Sequence, residues 1–170
     1  MQGLRKGVVW LLMVAGLLVI APAVSGQQLR EEIGGKAFSL RGIESMDFML
    51  EKIDADAAKA IGLTERQLQT DVELKMRTAG VKLDDSVRPY LYLNVSVLHD
   101  PEQQDVAFSI ALKFKQWGTF DGGFRGLGTT WDTGAIGTVG ETMAARNIRE
   151  SVGDYVDQFL NDYLKANPRH

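Results

Sequence analysis

The 170-residue chain contains no cysteine. That absence excludes a lipid-attachment cysteine, every disulfide and all thiol chemistry. Histidine is almost as scarce, with His99 beside Asp100 and His170 as the last residue. A His-Asp neighbour pair can orient a general base, but no serine lies in a Gly-x-Ser-x-Gly elbow. His99 is therefore read as turn polarity at a strand end, and no catalytic residue is assigned.

Positive charge is also in deficit, with 19 basic against 22 acidic residues and a net charge of −3. Such a balance gives no sequence-independent pull on nucleic acid. The acids Asp84, Asp85, Asp100, Glu102 and Asp121 fall in expected loops without the ligand rhythm of a calcium site. Gly134, Gly137 and Gly140 precede a helix, yet neither the dinucleotide spacing nor a P-loop lysine is present. They read as strand-to-helix turn geometry, so no metal or cofactor is expected and the chain leans away from enzymatic function.

The start of the chain has the three parts of a secretory signal. Arg5 and Lys6 form a basic beginning, Val8–Ile20 is uncharged and apolar, and Ala21–Gly26 supplies small and helix-breaking residues. Cleavage is expected after Gly26, with Ala23 as second choice. Retention of Val8–Val24 as a membrane anchor is the alternative, that run being slightly shorter than the ~20 residues of a span. Cleavage would remove two bases and no acid, leaving a mature charge of −5. The protein is thus expected to be exported, periplasmic or secreted. Gln27–Gly42 reads as a flexible N-terminal segment, and Ile43–His170 as a single α+β domain.

Within that domain the strongest signal is a β-hairpin. Pro89–His99 alternates Leu91, Leu93, Val95 and Val97 against Tyr90, Tyr92, Asn94, Ser96 and Leu98. After a polar connection, Val106–Trp117 alternates Val106, Phe108, Ile110, Leu112 and Phe114 against small residues and lysines. Asn94-Val95-Ser96 fits a glycosylation acceptor, but a strand position makes chance the simpler reading.

Ile43–Ile53 suits a strand better than a helix, and Asp54–Leu63 suits a short helical turn. Thr64 and Gln67 then have capping-box spacing, and Leu63 and Leu68 match the hydrophobic staple. Leu68, Val72 and Met76 form a buried helical stripe. Gly80 and Val81 suit a Schellman ending, so a helix is predicted over Thr64–Ala79.

Lys82–Val87 reads as a solvated turn, Gly118–Gly128 as a mobile loop or wide connection, and Thr129–Ile136 as a strand. Gly137–Gly140 turns into a last amphipathic helix, Glu141–Lys165. Gly153 inside it marks a close approach, expected to be to the sheet. No internal repeat or heptad array is visible.

The resulting order, β-α-β-β-β-α, predicts a two-layer α+β sandwich. In it, two amphipathic helices cover one face of an about four-stranded, mostly antiparallel sheet. The other face is left bare. Trp117, Phe120, Phe124 and Trp131, with Arg125 among them, gather in or beside the glycine segment. Tyr90 and Tyr92 lie on the bare face. Aromatics with arginine on connections are typical of contact sites. These seven residues are the predicted binding surface, and Trp117→Ala or Trp131→Ala is expected to weaken a partner contact.

The helix ending Leu-Lys-Met-Arg-Thr-Ala-Gly-Val (74–81), followed by the Pro89–Val97 strand, resembles the lipopolysaccharide-assembly lipoprotein family, which plugs an outer-membrane barrel. The resemblance is one of architecture and spans roughly Ile43 to Leu164. It implies an envelope protein of α+β fold. The chain departs from the family by lacking the lipidated cysteine, and the family's function is not carried over. The expected function is binding, with an envelope protein as partner. A small apolar ligand held in a pocket between helices and sheet is the alternative.

Overall fold

A computed structural model describes residues 34–168. The expected signal peptide, its cleavage site and the possible anchor lie outside the described residues, among which no helix is long and apolar enough to cross a membrane. The fold is α+β, but its sheet has five strands of mixed direction rather than four mostly antiparallel ones. They are β1 (Ser45–Leu50), β2 (Lys82–Leu83), β3 (Tyr90–Asp100), β4 (Asp105–Thr119) and β5 (Arg125–Gly140). Their spatial order is β2-β1-β3-β4-β5. β1 runs parallel to both β2 and β3, while β3–β4 and β4–β5 are antiparallel.

The helices are α1 (Gly35–Phe38), α2 (Ala55–Ala60), α3 (Glu65–Thr78) and α4 (Glu141–Ala166). The third forms where local chemistry requires it. Gln67 donates its backbone N–H to the Thr64 hydroxyl at 3.2 Å, and its side-chain oxygen accepts from the Thr64 N–H at 2.9 Å. At the other end Val81 N–H reaches Met76 C=O and Gly80 N–H reaches Arg77 C=O, both at 2.9 Å. This is the six-to-one and five-to-two pattern of a Schellman ending, with Gly80 at φ 75°.

Two predicted turns are strands instead. Lys82–Leu83 pairs with Ser45–Met46, because the Schellman turn delivers the chain alongside β1. Gly137–Gly140 continues β5 in register against Asp105–Phe108, so the last helix starts from the sheet itself. At that junction the Glu141 N–H donates to Gln104 C=O at 2.8 Å.

The segment from Gly34 to Gly42 is docked rather than a loose tether. Ala37 and Leu40 are buried. Asn167 donates to Leu40 C=O at 2.9 Å and accepts from Gly42 N–H at 2.7 Å, tying this segment to the end of α4.

Between the helices and the sheet lies one continuous core. Phe114 from β4, Trp131 from β5, and Phe159 and Tyr163 from α4 form its aromatic centre. Phe159 has ring centroids 5.7 Å from Phe114, 5.1 Å edge-on from Trp131 and 6.2 Å from Tyr163. Met46, Leu68, Met76, Leu91 and Leu112 fill the rest, each fully buried. Burying a side chain of this size contributes about 1.5–3 kcal/mol.

Gly153 marks a close approach, but not to the sheet. An added Cβ there would meet the Lys75 Cε at 3.3 Å. The glycine lets the lysine stem cross α4 so that its ammonium reaches Asp157 at 2.7 Å.

Candidate binding surface

The glycine-rich segment is the far end of a long hairpin, not an irregular loop. Strands β4 and β5 stay paired up to Thr119 and Arg125. The chain reverses over Phe120–Gly123, where Gly123 N–H donates to Phe120 C=O at 3.0 Å. Gly122 and Gly123 have φ of 86° and 79°, a region that side chains with a Cβ rarely adopt.

The other glycines seat rings. A Cβ at Gly126 would lie 2.7 Å from the Phe124 ring, and one at Gly128 would lie 2.8 Å from the Phe120 ring. Phe120 and Phe124 therefore fold back over the helix-side face of their own hairpin, 6.2 Å apart between centroids. Among the described residues no helix covers these rings, and Phe124 stays 68% exposed.

On the opposite face, Trp117 stands across from Leu127; the tryptophan is 49% exposed. Arg125 is exposed at the same end, opposite Thr119.

Tyr90 and Tyr92 lie farther down this uncovered face, half-buried, opposite Lys115 and Lys113. The Lys115 ammonium sits 4.6 Å from the Tyr92 ring centroid, a cation–π contact. Glu51 accepts from Asn94 beside them at 2.8 Å.

The structure thus places all four of Trp117, Phe120, Phe124 and Arg125 at the hairpin end, but pairs only Phe120 with Phe124; Trp117 is on the opposite face, the one that carries Tyr90 and Tyr92. Trp131 does not join them. It faces Phe114 on the helix side and is only 2% exposed. Its neighbour Thr130 is the extra residue of a bulge opposite Phe114 and Lys115, which resets which residues of β5 face inward. Sequence reasoning missed Leu127, whose exposure follows from the same change of phase.

The remaining polar candidates have local partners. The Asp100 carboxylate accepts from the Glu102 and Gln103 N–H groups and shapes the β3–β4 turn. His99 Nε2 lies 3.0 Å from Glu141 Oε2, within ion-pair distance.

A groove of about 760 Å³ runs along α3 and α4. Four of its charges form two pairs across and along the helices. Arg149 grips Asp71 through two bonds of 2.7 and 3.0 Å, and Arg146 donates to Glu150 at 2.7 Å. The bond to Asp71 raises the Arg149 guanidinium above its ordinary pKa.

No protein-family model matches the chain. No curated protein matches it either. Among solved structures, it is similar to the crystal structure of the rare lipoprotein B from Shewanella oneidensis, at 12% identity. The match covers 69% of this chain and 91% of that one, with a TM-score of 0.37. A likeness this distant supports no conclusion about fold or function.

Proposed function

We propose that this is an exported, non-enzymatic binding protein of the cell envelope, periplasmic or secreted. It contacts an envelope partner through the end of the β4–β5 hairpin and the adjoining bare sheet face. One observation carries the reading: the hairpin end exposes two apolar pairs, Trp117 with Leu127 on one face and Phe120 with Phe124 on the other. Apolar clusters of this kind, rimmed by polar groups, mark contact sites. Arg125, Lys113 and Lys115 supply that rim here. The two turn glycines and the two seating glycines fit a hairpin shaped to present rings rather than to bury them.

A carrier holding an apolar ligand between helices and sheet lacks comparable support. The aromatic centre around Phe159 occupies that space, and the α3–α4 groove is lined by two charge pairs.

The test is a crosslinked pull-down of C-terminally tagged protein from intact envelopes, with wild type compared to Trp117→Ala and Phe124→Ala. A recurrent partner, recovered at least tenfold less with either variant at unchanged thermal midpoint, supports the reading. Equal recovery by wild type and both folded variants removes the hairpin end from consideration.

A further inference from the structure

Strand β5 ends the sheet, and its outer edge is covered along only part of its length. Lys36 donates to Asp132 C=O at 2.6 Å and Ser39 donates to Thr130 C=O at 3.0 Å, so the α1 segment closes the edge there. Beyond it, Thr133–Gly140 has no partner on the outer side among the described residues.

The phase of this free stretch is known. Asp132 C=O points outward to Lys36, whereas the Glu141 N–H points back toward β4 at Gln104. Alternation along a strand then turns the N–H and C=O groups of Gly134, Ile136 and Thr138 outward. Exposed edges are commonly protected by charge or proline. Thr133–Gly140 contains neither. Ile136 at its middle is 86% exposed.

We infer that a second copy of this chain pairs with the free edge, β5 against β5 in antiparallel fashion, about a two-fold axis at Ile136. This pairing sets Ile136 opposite Ile136, and Gly134 opposite Thr138 on each side. All are outward-facing residues, so the register satisfies about six backbone hydrogen bonds.

Two further features fit a self-partner. An isologous interface places each residue near its own copies, which would penalise a charged strand. The uncharged stretch avoids that repulsion. At each end the register lays Asp132 opposite Gly140, bringing Lys36 of one copy beside Glu141 of the second. Lys36 is exposed and pairs with its own Asp132 at 3.6 Å, so in the dimer this cation lies between that carboxylate and Glu141 of the second copy. The contact is shorter than a standard interface of roughly 1,200–2,000 Å². The dimer is consequently weak and concentration-dependent.

The cysteine-free chain makes the register directly testable. Hydrogen-bonded antiparallel partners have Cα atoms about 5.5 Å apart, inside the roughly 4.4–6.8 Å range of disulfides. Ile136→Cys in the full chain, under mild oxidation, should therefore give a covalent dimer. Two controls should remain monomeric. Leu98→Cys is 72% exposed on the same face but two strands inward. Thr138→Cys would sit about 14 Å from its own copy in this register, four residues away at ~3.4 Å each.

Sedimentation of the wild type should show a reversible dimer. Ile136→Lys should weaken it at least tenfold without moving the thermal midpoint. An Ile136→Cys chain that stays monomeric, or a wild type monomeric at every concentration, overturns the proposal. So does crosslinking of Leu98→Cys or Thr138→Cys at the rate of Ile136→Cys, since it means stacked faces or another register.

Discussion

The indole N–H of Trp131 donates to the Asp162 carboxylate at 2.7 Å, bonding the edge strand to the last helix. The ring also meets Phe159 edge-on at 5.1 Å. Trp131 holds the two layers together, and a substitution there reports on stability. Trp131→Ala should cost about 3–5 kcal/mol through lost burial and a cavity. Trp131→Phe should cost less, about 1–2 kcal/mol, by keeping the ring and losing the bond. Urea unfolding of both variants decides it. Equal losses would show that the bond to Asp162, rather than the ring, dominates.

Gly153 offers the opposite sign. Among the described residues, an added Cβ would approach the tip of Lys75, a flexible side chain. Glycine inside a helix costs up to ~1 kcal/mol relative to alanine. Gly153→Ala should thus raise stability by a few tenths to about 1 kcal/mol, even if the exposed Lys75–Asp157 pair loosens. Thermal melts check this, and a falling midpoint would mean that the lysine cannot move aside.

Two strand glycines should behave differently from each other. A Cβ at Gly134 would strike the backbone carbonyl of Ile110, which cannot rotate away, while one at Gly118 would enter open space. Gly134→Ala should destabilise by about 1–3 kcal/mol, the usual range for forced overpacking. Gly118→Ala should be neutral or slightly stabilising. Chemical denaturation of the pair tests the contrast, and matching effects would contradict it.

The Asp84 carboxylate is held below the ordinary aspartate pKa by the Ser86 hydroxyl first, then the Ser86 N–H at 3.0 Å. Because its folded pKa is depressed, any stability it confers is present above the unfolded aspartate value. That stability is lost as pH falls through the folded value. Ser86→Ala should raise the Asp84 pKa toward the ordinary value, narrowing this acidic window. Carboxyl carbon NMR titration would show the shift; an unmoved titration would assign the depression to the backbone bond alone.

Sequence by itself determined those parts whose causes are local. The capping box at Thr64, the Schellman ending at Gly80 and the inward row Leu91, Leu93, Val95 each rest on residues a few positions apart. The cap and the Schellman ending are closed by bonds between near neighbours, and the two-residue strand period puts Leu91, Leu93 and Val95 on one face. The last helix is legible for the same reason, its stripe from Ala144 to Tyr163 holding helical spacing throughout.

Only the tertiary structure decided what depends on distant partners. Lys82–Leu83 is a strand because β1 lies beside it, and two residues carry no periodicity of their own. The parallel pairing of β1 with β3 joins segments separated by two helices. The hairpin keeps its strands through the glycines because the cross-strand ladder, rather than propensity, holds them. Trp131 faces inward instead of joining Trp117 because the bulge at Thr130 shifts the two-residue period. A strand's period fixes which residues share a face, but its ladder partners and bulges decide which face meets the core.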